Sequence, residues 1–212
     1  MKYLIINADD FGYSKVFNEK ILELMEKTFL ASTSVMIKWI DDEQKNQAER
    51  LKNIHKNQDV SVGLHVEFAD ENFEPQIKEQ FNNFISTFGF EPDHVDIHKT
   101  VYLQNGYPKI MEFCFKRGIP CKNHDIPGPK AIMTEDPIYD ATGKDIDELK
   151  KWLQNLEDGK TYVFQVHPGT YDPDSKSSFN EVREIDARNV EAINSLLEKF
   201  NIEQVNFKHL KK

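Results

Sequence analysis

Tyr3-Leu4-Ile5-Ile6-Asn7-Ala8 is an apolar run that passes without a break into Asp9-Asp10-Phe11-Gly12. A short, β-branched run of this kind reads as a strand buried on both faces, as in a parallel sheet. The two adjacent carboxylates then fall at the C-terminal end of the strand, where α/β enzymes gather catalytic groups from separate loops. Three further runs of the same type end on histidine: Gly63-Leu64-His65, Asp96-Ile97-His98 and Gln165-Val166-His167. One carboxylate pair and three strand-end histidines point to a metal hydrolase.

Outward from this strand, apolar β-rich runs alternate with helical periodicity, the pattern of a parallel sheet with crossover helices. Further strands are expected over residues 33–37, 60–66, 94–98, a short fifth at 119–122, 161–166 and 203–207. Helices are expected over 15–27 with Ser14 as cap, 41–56, 74–88, 108–116 with Pro108 in the first turn, 145–156 and 184–200. Residues 124–143 hold three prolines and two glycines and read as an irregular loop at the active-site face. About seven strands either close into a barrel or stay open as a doubly wound sheet. No glycine-rich phosphate-binding motif follows the first strand, and chemistry at several strand ends favours a distorted (β/α) barrel, with residues 1–212 forming a single catalytic domain.

The chain has 212 residues and a formal net charge of −9, from 27 Lys and Arg against 36 Asp and Glu. That balance argues against a nucleic-acid surface, which needs clustered cations. Cys114 and Cys121 are the two cysteines, too few for a disulfide framework in a domain of this size, so both are expected as small buried residues in a reducing cytoplasm. The apolar run at the N-terminus is too short for a secretion signal, and no stretch approaches the ~18 apolar residues of a membrane span. The expectation is a soluble, cytoplasmic protein without membrane partners.

One carboxylate and two imidazoles hold a divalent ion while leaving positions for water and a substrate oxygen. Asp10, His65 and His98, each on a different strand end, are the candidate ligands, and Asp9 is then free to act as general base. His167, where Pro168 and Gly169 stop the strand, is the candidate general acid. Taken singly, each residue has an ordinary alternative: an Asp after a strand is usually a turn or cap, and a strand His is usually packed or solvated. Their joint placement carries the reading. His55, His124 and His209 read as solvated surface. Asp96 sits where it can orient a ligand imidazole from behind, and His94 shares a strand face with His98. Tyr13, Tyr107 and Tyr171 lie near loop ends where they can stack on a sugar ring.

Asn7-Ala8-Asp9-Asp10-Phe11-Gly12 resembles the opening motif of the YdjC-like carbohydrate deacetylases, which include chitooligosaccharide deacetylases. Thr33-Ser34-Val35-Met36, Gly63-Leu64-His65, His94-Val95-Asp96-Ile97-His98, Gly118-Ile119-Pro120 and His167-Pro168-Gly169 are similar to later family motifs and follow in order. The resemblance implies a distorted barrel related to polysaccharide deacetylases and a divalent ion, Mg or Zn, on Asp10, His65 and His98. It also implies Asp9 as base, His167 as acid, a small carbohydrate substrate and a homodimer. The pattern is broken at Glu67, at Lys99-Thr100 and at Thr170, positions that face substrate in the family. The expected function is removal of N-acetyl groups from an amino sugar or short chitooligosaccharide. The alternatives are another single-metal hydrolase, such as a phosphoesterase, or a non-catalytic sugar-binding protein on the same fold.

Overall fold

The computed structural model describes residues 1–211. Its elements run β1 (Lys2–Phe11), α1 (Lys15–Glu26), β2 (Ser32–Val35), α2 (Lys45–Asn57), β3 (Ser61–Val66), α3 (Phe73–Phe88), β4 (Val95–Ile97), α4 (Leu103–Arg117), β5 (Tyr139–Asp140), α5 (Ile146–Gln154), β6 (Thr161–Val166), α6 (Arg183–Asn194) and β7 (Ile202–Val205). All strand pairings are parallel, in the order β4-β3-β2-β1-β6-β5. β7 pairs with Lys2–Ile5 of β1, whereas β2 pairs with Asn7–Phe11. The ten residues of β1 therefore serve three neighbours, β6 along one edge and β7 then β2 along the other.

The sheet curls into a distorted barrel whose gap, between β4 and β5, is crossed by single bridges rather than by a full strand. Val95 bridges to Cys121 and Pro120 to Ile132, and Ile138 N–H donates to the Asn123 carbonyl at 2.8 Å. The expected fifth strand at 119–122 is thus reduced to isolated bridges. Pro120 has no N–H to extend a ladder. The fifth strand proper is Tyr139–Asp140, inside the stretch read as irregular. No helix among the described residues is long and apolar enough to cross a membrane.

The helices bury the stripes their spacing foretells. Ser14 caps α1, its Oγ accepting from Val16 N–H at 3.1 Å, and Phe17, Ile21, Leu24 and Met25 lie against the sheet. The helix expected to start at Pro108 begins at Leu103 instead, with Pro108 in its interior. The bond that proline forgoes is the one to Gln104, on an exposed turn where water can serve the carbonyl. The last helix stops at Asn194 and gives way to a 3-10 turn at Glu198–Phe200. Asp41, read as part of a helix start, caps a 3-10 turn by accepting from Glu43 and Gln44 N–H. Both cysteines are buried and unbridged.

Inside the barrel His94 is fully buried, with Nε2 3.0 Å from Ser34 Oγ and its ring stacked on Phe207 at 3.9 Å. A Cβ added at Gly63 would lie 2.3–2.5 Å from three atoms of that ring. Gly63→Ala is therefore expected to overpack the barrel and cost about 1–3 kcal/mol. A thermal melt checks this, and an unchanged midpoint would show that His94 moves aside freely.

Candidate metal centre

Neighbouring residues of a regular strand point to opposite faces, so Asp9 and Asp10 need a special device to reach one cavity. β1 supplies it. Ala8 pairs with Thr33, but Phe11 is the next residue in register, opposite Val35, so three steps on β1 match two on β2. Asp10 absorbs the extra residue in the left-handed region, φ 69°. A bulge of this kind bends the strand and re-aims its side chains, and here both carboxylates line the same cavity of about 550 Å³. Gly12 completes the turn at φ 103°, where a Cβ would sit 2.8 Å from the Met36 carbonyl oxygen.

Asp10 Oδ1 is buried and has no hydrogen-bond partner. It lies 3.3 Å from His98 Nδ1 and 3.6 Å from His65 Nε2. Donor atoms at ligand distance around one tetrahedral ion stand about 3.3–3.6 Å apart, so these residues fit a divalent ion as they stand. Asp10 Oδ2 accepts from Arg183 Nη2 at 2.6 Å, and Arg183 packs its guanidinium 3.8 Å above the Phe17 ring. Burial pushes the Asp10 carboxyl up, but His98, His167, Arg183 and His65 outweigh it and hold the pKa well below the usual carboxylate range. Burial lowers the pKa of His65. An ionised carboxylate beside a neutral imidazole is the protonation state a metal site requires.

Asp9 stands outside the Asp10, His65 and His98 cluster but is held by a buried cation. Its two oxygens lie 2.7 and 2.8 Å from Lys122 Nζ, and Oδ1 also accepts from Asn7 Nδ2 at 2.6 Å. Lys122, fully buried, also reaches Asp96 Oδ2 at 2.7 Å and Gln165 Oε1 at 2.9 Å. Burial raises Asp9 and Asp96 and lowers Lys122, yet their mutual attraction wins in all three, so the carboxyls lie below and the ammonium above their ordinary values. Behind the ligands, Asp96 Oδ2 is 3.5 Å from His65 Nδ1. Asp96 Oδ1 is 2.6 Å from His124 Nε2. His124 therefore belongs to the site, not to the solvated surface, because the segment carrying it folds back to close the barrel.

His167 ends β6 at the cavity wall, its Nδ1 2.8 Å from Thr142 Oγ1, which leaves Nε2 for the cavity. Its backbone N–H donates to Asp186 Oδ2 at 2.9 Å, and burial raises the Asp186 pKa. At the rim, two of the three departures from the resembled motifs meet: Lys99 Nζ is 2.9 Å from Glu67 Oε1, and Trp39 Nε1 donates to Glu67 Oε2 at 2.7 Å. Tyr13 stacks on Trp39 at 4.9 Å and lines the cavity. Tyr107 is buried and donates to the Lys122 carbonyl, and Tyr171 lies outside the cavity, so neither is placed to stack on a bound sugar. His55 is largely buried, pairing with Asp93 at 2.8 Å and stacking on Phe90. His209 packs on Tyr3.

Lys122 and Arg183 escaped sequence reading. The one signal for Lys122 was a charge inside an apolar run, Ile119-Pro120-Cys121-Lys122. Arg183 had none, since a basic residue opening a polar helix is ordinary.

The charge pairing makes a pH prediction for the metal-free protein. A carboxyl whose folded pKa is depressed takes up its proton less readily when folded, so its stabilisation is complete above the unfolded value of about 3.9 and is lost as pH falls through the folded one. Lys122→Met leaves two buried carboxylates uncompensated and is expected to cost about 3–5 kcal/mol at pH 7. Protonation relieves that loss, so the gap to wild type should narrow between pH 7 and 4 in chelator-treated melts. A gap that stays constant would mean the pair is not charged.

The family model described as YdjC-like protein matches residues 3–76. A carbohydrate deacetylase of Clostridium beijerinckii is 27% identical over 98% of this chain and 99% of its own length. A chitooligosaccharide deacetylase of Enterobacter sp. strain 638 is 26% identical over 81% and 83%. Among solved structures, a protein of Enterococcus faecalis V583 aligns over 99% of this chain and 98% of its own, with TM-score 0.73 and 18% identity. The chitin deacetylase of Colletotrichum lindemuthianum aligns over 98% and 86%, with TM-score 0.63 and 13% identity. The ordered motifs thus lie on one curled parallel sheet, and the chain is similar over most of its length to these carbohydrate deacetylases, with the YdjC-like model matching residues 3–76.

Proposed function

We propose that this chain is a metal-dependent hydrolase that removes N-acetyl groups from an amino sugar or a short chitooligosaccharide. The observation that carries the reading is the buried, unpartnered Asp10 Oδ1 between His65 and His98, beside a second carboxylate held by Lys122. Relatives described as carbohydrate and chitooligosaccharide deacetylases support the substrate class.

Asp10, His65 and His98 would hold the ion. When bound, it supplies a Lewis acid that acidifies water and polarises the amide carbonyl. Arg183 fixes the Asp10 carboxylate, so one oxygen stays directed at the two imidazoles. Asp9, ionised and clamped by Lys122 and Asn7, accepts the proton of the attacking water. His167, oriented by Thr142 through Nδ1, presents Nε2 to the departing amine and donates its proton. Asp96 keeps His65 in place from behind. Tyr13, backed by the stacked Trp39, offers the aromatic wall of the cavity against which a sugar ring rests, and the two unbridged thiols suit a reducing cytoplasm.

Purified protein stripped of metal and resupplied with Mg, Zn, Mn or Co is expected to release acetate from diacetylchitobiose or a related N-acetylated sugar. Absence of acetate with every ion would overturn the reading. Asp9→Asn is expected to keep its metal and lose about 10²–10⁴-fold in turnover, and near-normal turnover would remove Asp9 as the base. His98→Ala should lose metal and activity together, which metal analysis alongside the assay checks.

A further inference from the structure

Beside the Asp10, His65 and His98 cluster lies a second set of side chains with the chemistry and spacing of a metal site: Asp9, His65 and Asp96, all buried. His65 belongs to both, its Nε2 facing Asp10 and its Nδ1 facing Asp96 at 3.5 Å. His65 Nδ1 has no hydrogen-bond partner despite its burial. The second set would be a complete cation site were it not already served. Lys122 Nζ stands between its two carboxylates, 2.7 and 2.8 Å from the oxygens of Asp9 and 2.7 Å from Asp96 Oδ2.

We propose that the Lys122 ammonium takes the place of a second divalent cation, so that the centre is limited to one ion, and that removing this side chain opens a second metal site on Asp9, His65 and Asp96. The inference rests on Asp10, His65 and His98 being the first site.

A buried lysine is an unusual choice for this position. Its head group is strongly hydrated and costs free energy to bury unless fully paired. Here the ammonium donates to both oxygens of Asp9 and to Gln165 Oε1, and it lies 2.7 Å from Asp96 Oδ2 as an ion pair. A monovalent cation also leaves the three carboxylates Asp9, Asp10 and Asp96 one charge short of neutrality against Lys122 and Arg183. One divalent ion at Asp10 would more than cover that shortfall, turning the sum of these charges from negative to positive. Replacing Lys122 by a small neutral residue would remove both the positive charge and the four-carbon stem, leaving hard oxygen donors around a cation-sized space, and His65 would complete the site by releasing its Nδ1 proton to solvent and bridging the two ions as imidazolate. Close metal pairs serve phosphoryl and related displacements by holding the attacking and leaving oxygens. A lysine in one of the two positions keeps Asp9 on a proton donor instead of on a metal, which leaves its carboxylate for proton transfer.

The test is metal stoichiometry. Wild type, Lys122→Ala and the double variant Lys122→Ala, Asp96→Ala are loaded with Mn²⁺ or Zn²⁺, desalted and analysed for metal, and the Mn²⁺ forms are examined by EPR. The inference expects one ion in wild type, two in Lys122→Ala with the exchange-coupled signal of a close Mn²⁺ pair, and one again in the double variant. A folded Lys122→Ala protein that still binds one ion, with an uncoupled signal, overturns it. Because the variant is destabilised without metal, its melting temperature is also followed on adding Mn²⁺. A rise larger than that of wild type supports the second site, and an equal or smaller rise counts against it. Adding His98→Ala to Lys122→Ala separates the two readings. One ion retained there and lost on further adding Asp96→Ala places it on Asp9, His65 and Asp96 and supports the inference whatever becomes of the first site, whereas an ion that survives Asp96→Ala, or loss of all metal before it, overturns it.

Discussion

Three carboxylates buried at one barrel mouth stay ionised only if cations reach them, because an unpaired charge in a low-dielectric interior is prohibitively costly. Asp9, Asp10 and Asp96 are each almost fully buried, and that requirement organises much of the chain. The segment after α4 has to cross the barrel gap so that Lys122 can lie between Asp9 and Asp96. The start of α6 has to come under β1 so that Arg183 can reach Asp10, and Phe17 must be shaped to carry its guanidinium. The bulge in β1 is part of the same arrangement, since without Asp10 in its left-handed conformation one of the paired carboxylates would face the helices and not the cations.

The barrel interior beneath the site is polar where larger barrels stack branched apolar side chains. Ser61 Oγ donates to Ser32 Oγ at 2.8 Å, Ser32 Oγ to Asn7 Oδ1 at 2.6 Å, and Asn7 Nδ2 to Asp9 Oδ1 at 2.6 Å. Ser34 links the same asparagine to the buried His94. Short side chains fill the narrow space and point their hydrogen bonds upward, so the position of Asp9 is fixed from below by a chain of donors as well as from the side by Lys122. Satisfied networks of this kind rigidify what they touch.

Much of this could be read from sequence, for physical reasons that differ by element. β1, β3 and β6 announce themselves as apolar runs, and each ends on a residue whose chemistry is unusual there. Helices α1 and α3 carry clear apolar stripes. The fifth strand is not legible because 119–122 has strand composition but only bridge pairing, with a proline among its four residues, while Tyr139–Asp140 is too short to show any period. Pro108 looked like a helix start since local rules put proline in the first turn, and tertiary packing of Gly106 against Phe68 and Phe73 extended the helix before it. His124 reads as surface because nothing local marks a loop that folds back. Lys122 and Arg183 act only through partners remote in sequence, and no window of neighbouring residues contains that information.

That remoteness also shapes how the protein is made. Asp9 and Lys122 are 113 residues apart, and Asp10 and Arg183 are 173. At ordinary synthesis rates the first strand leaves the ribosome on the order of ten to thirty seconds before the arginine that neutralises it exists. Until then its two carboxylates cannot be buried, which holds the C-terminal end of β1 in water while the apolar Leu4–Ile6 part seeks cover. The centre is consequently an end product of folding, with loop closures that form late and contribute little to the nucleus. A chain stopped short of α6 would carry most of the motif residues and still lack the charge balance that lets them meet.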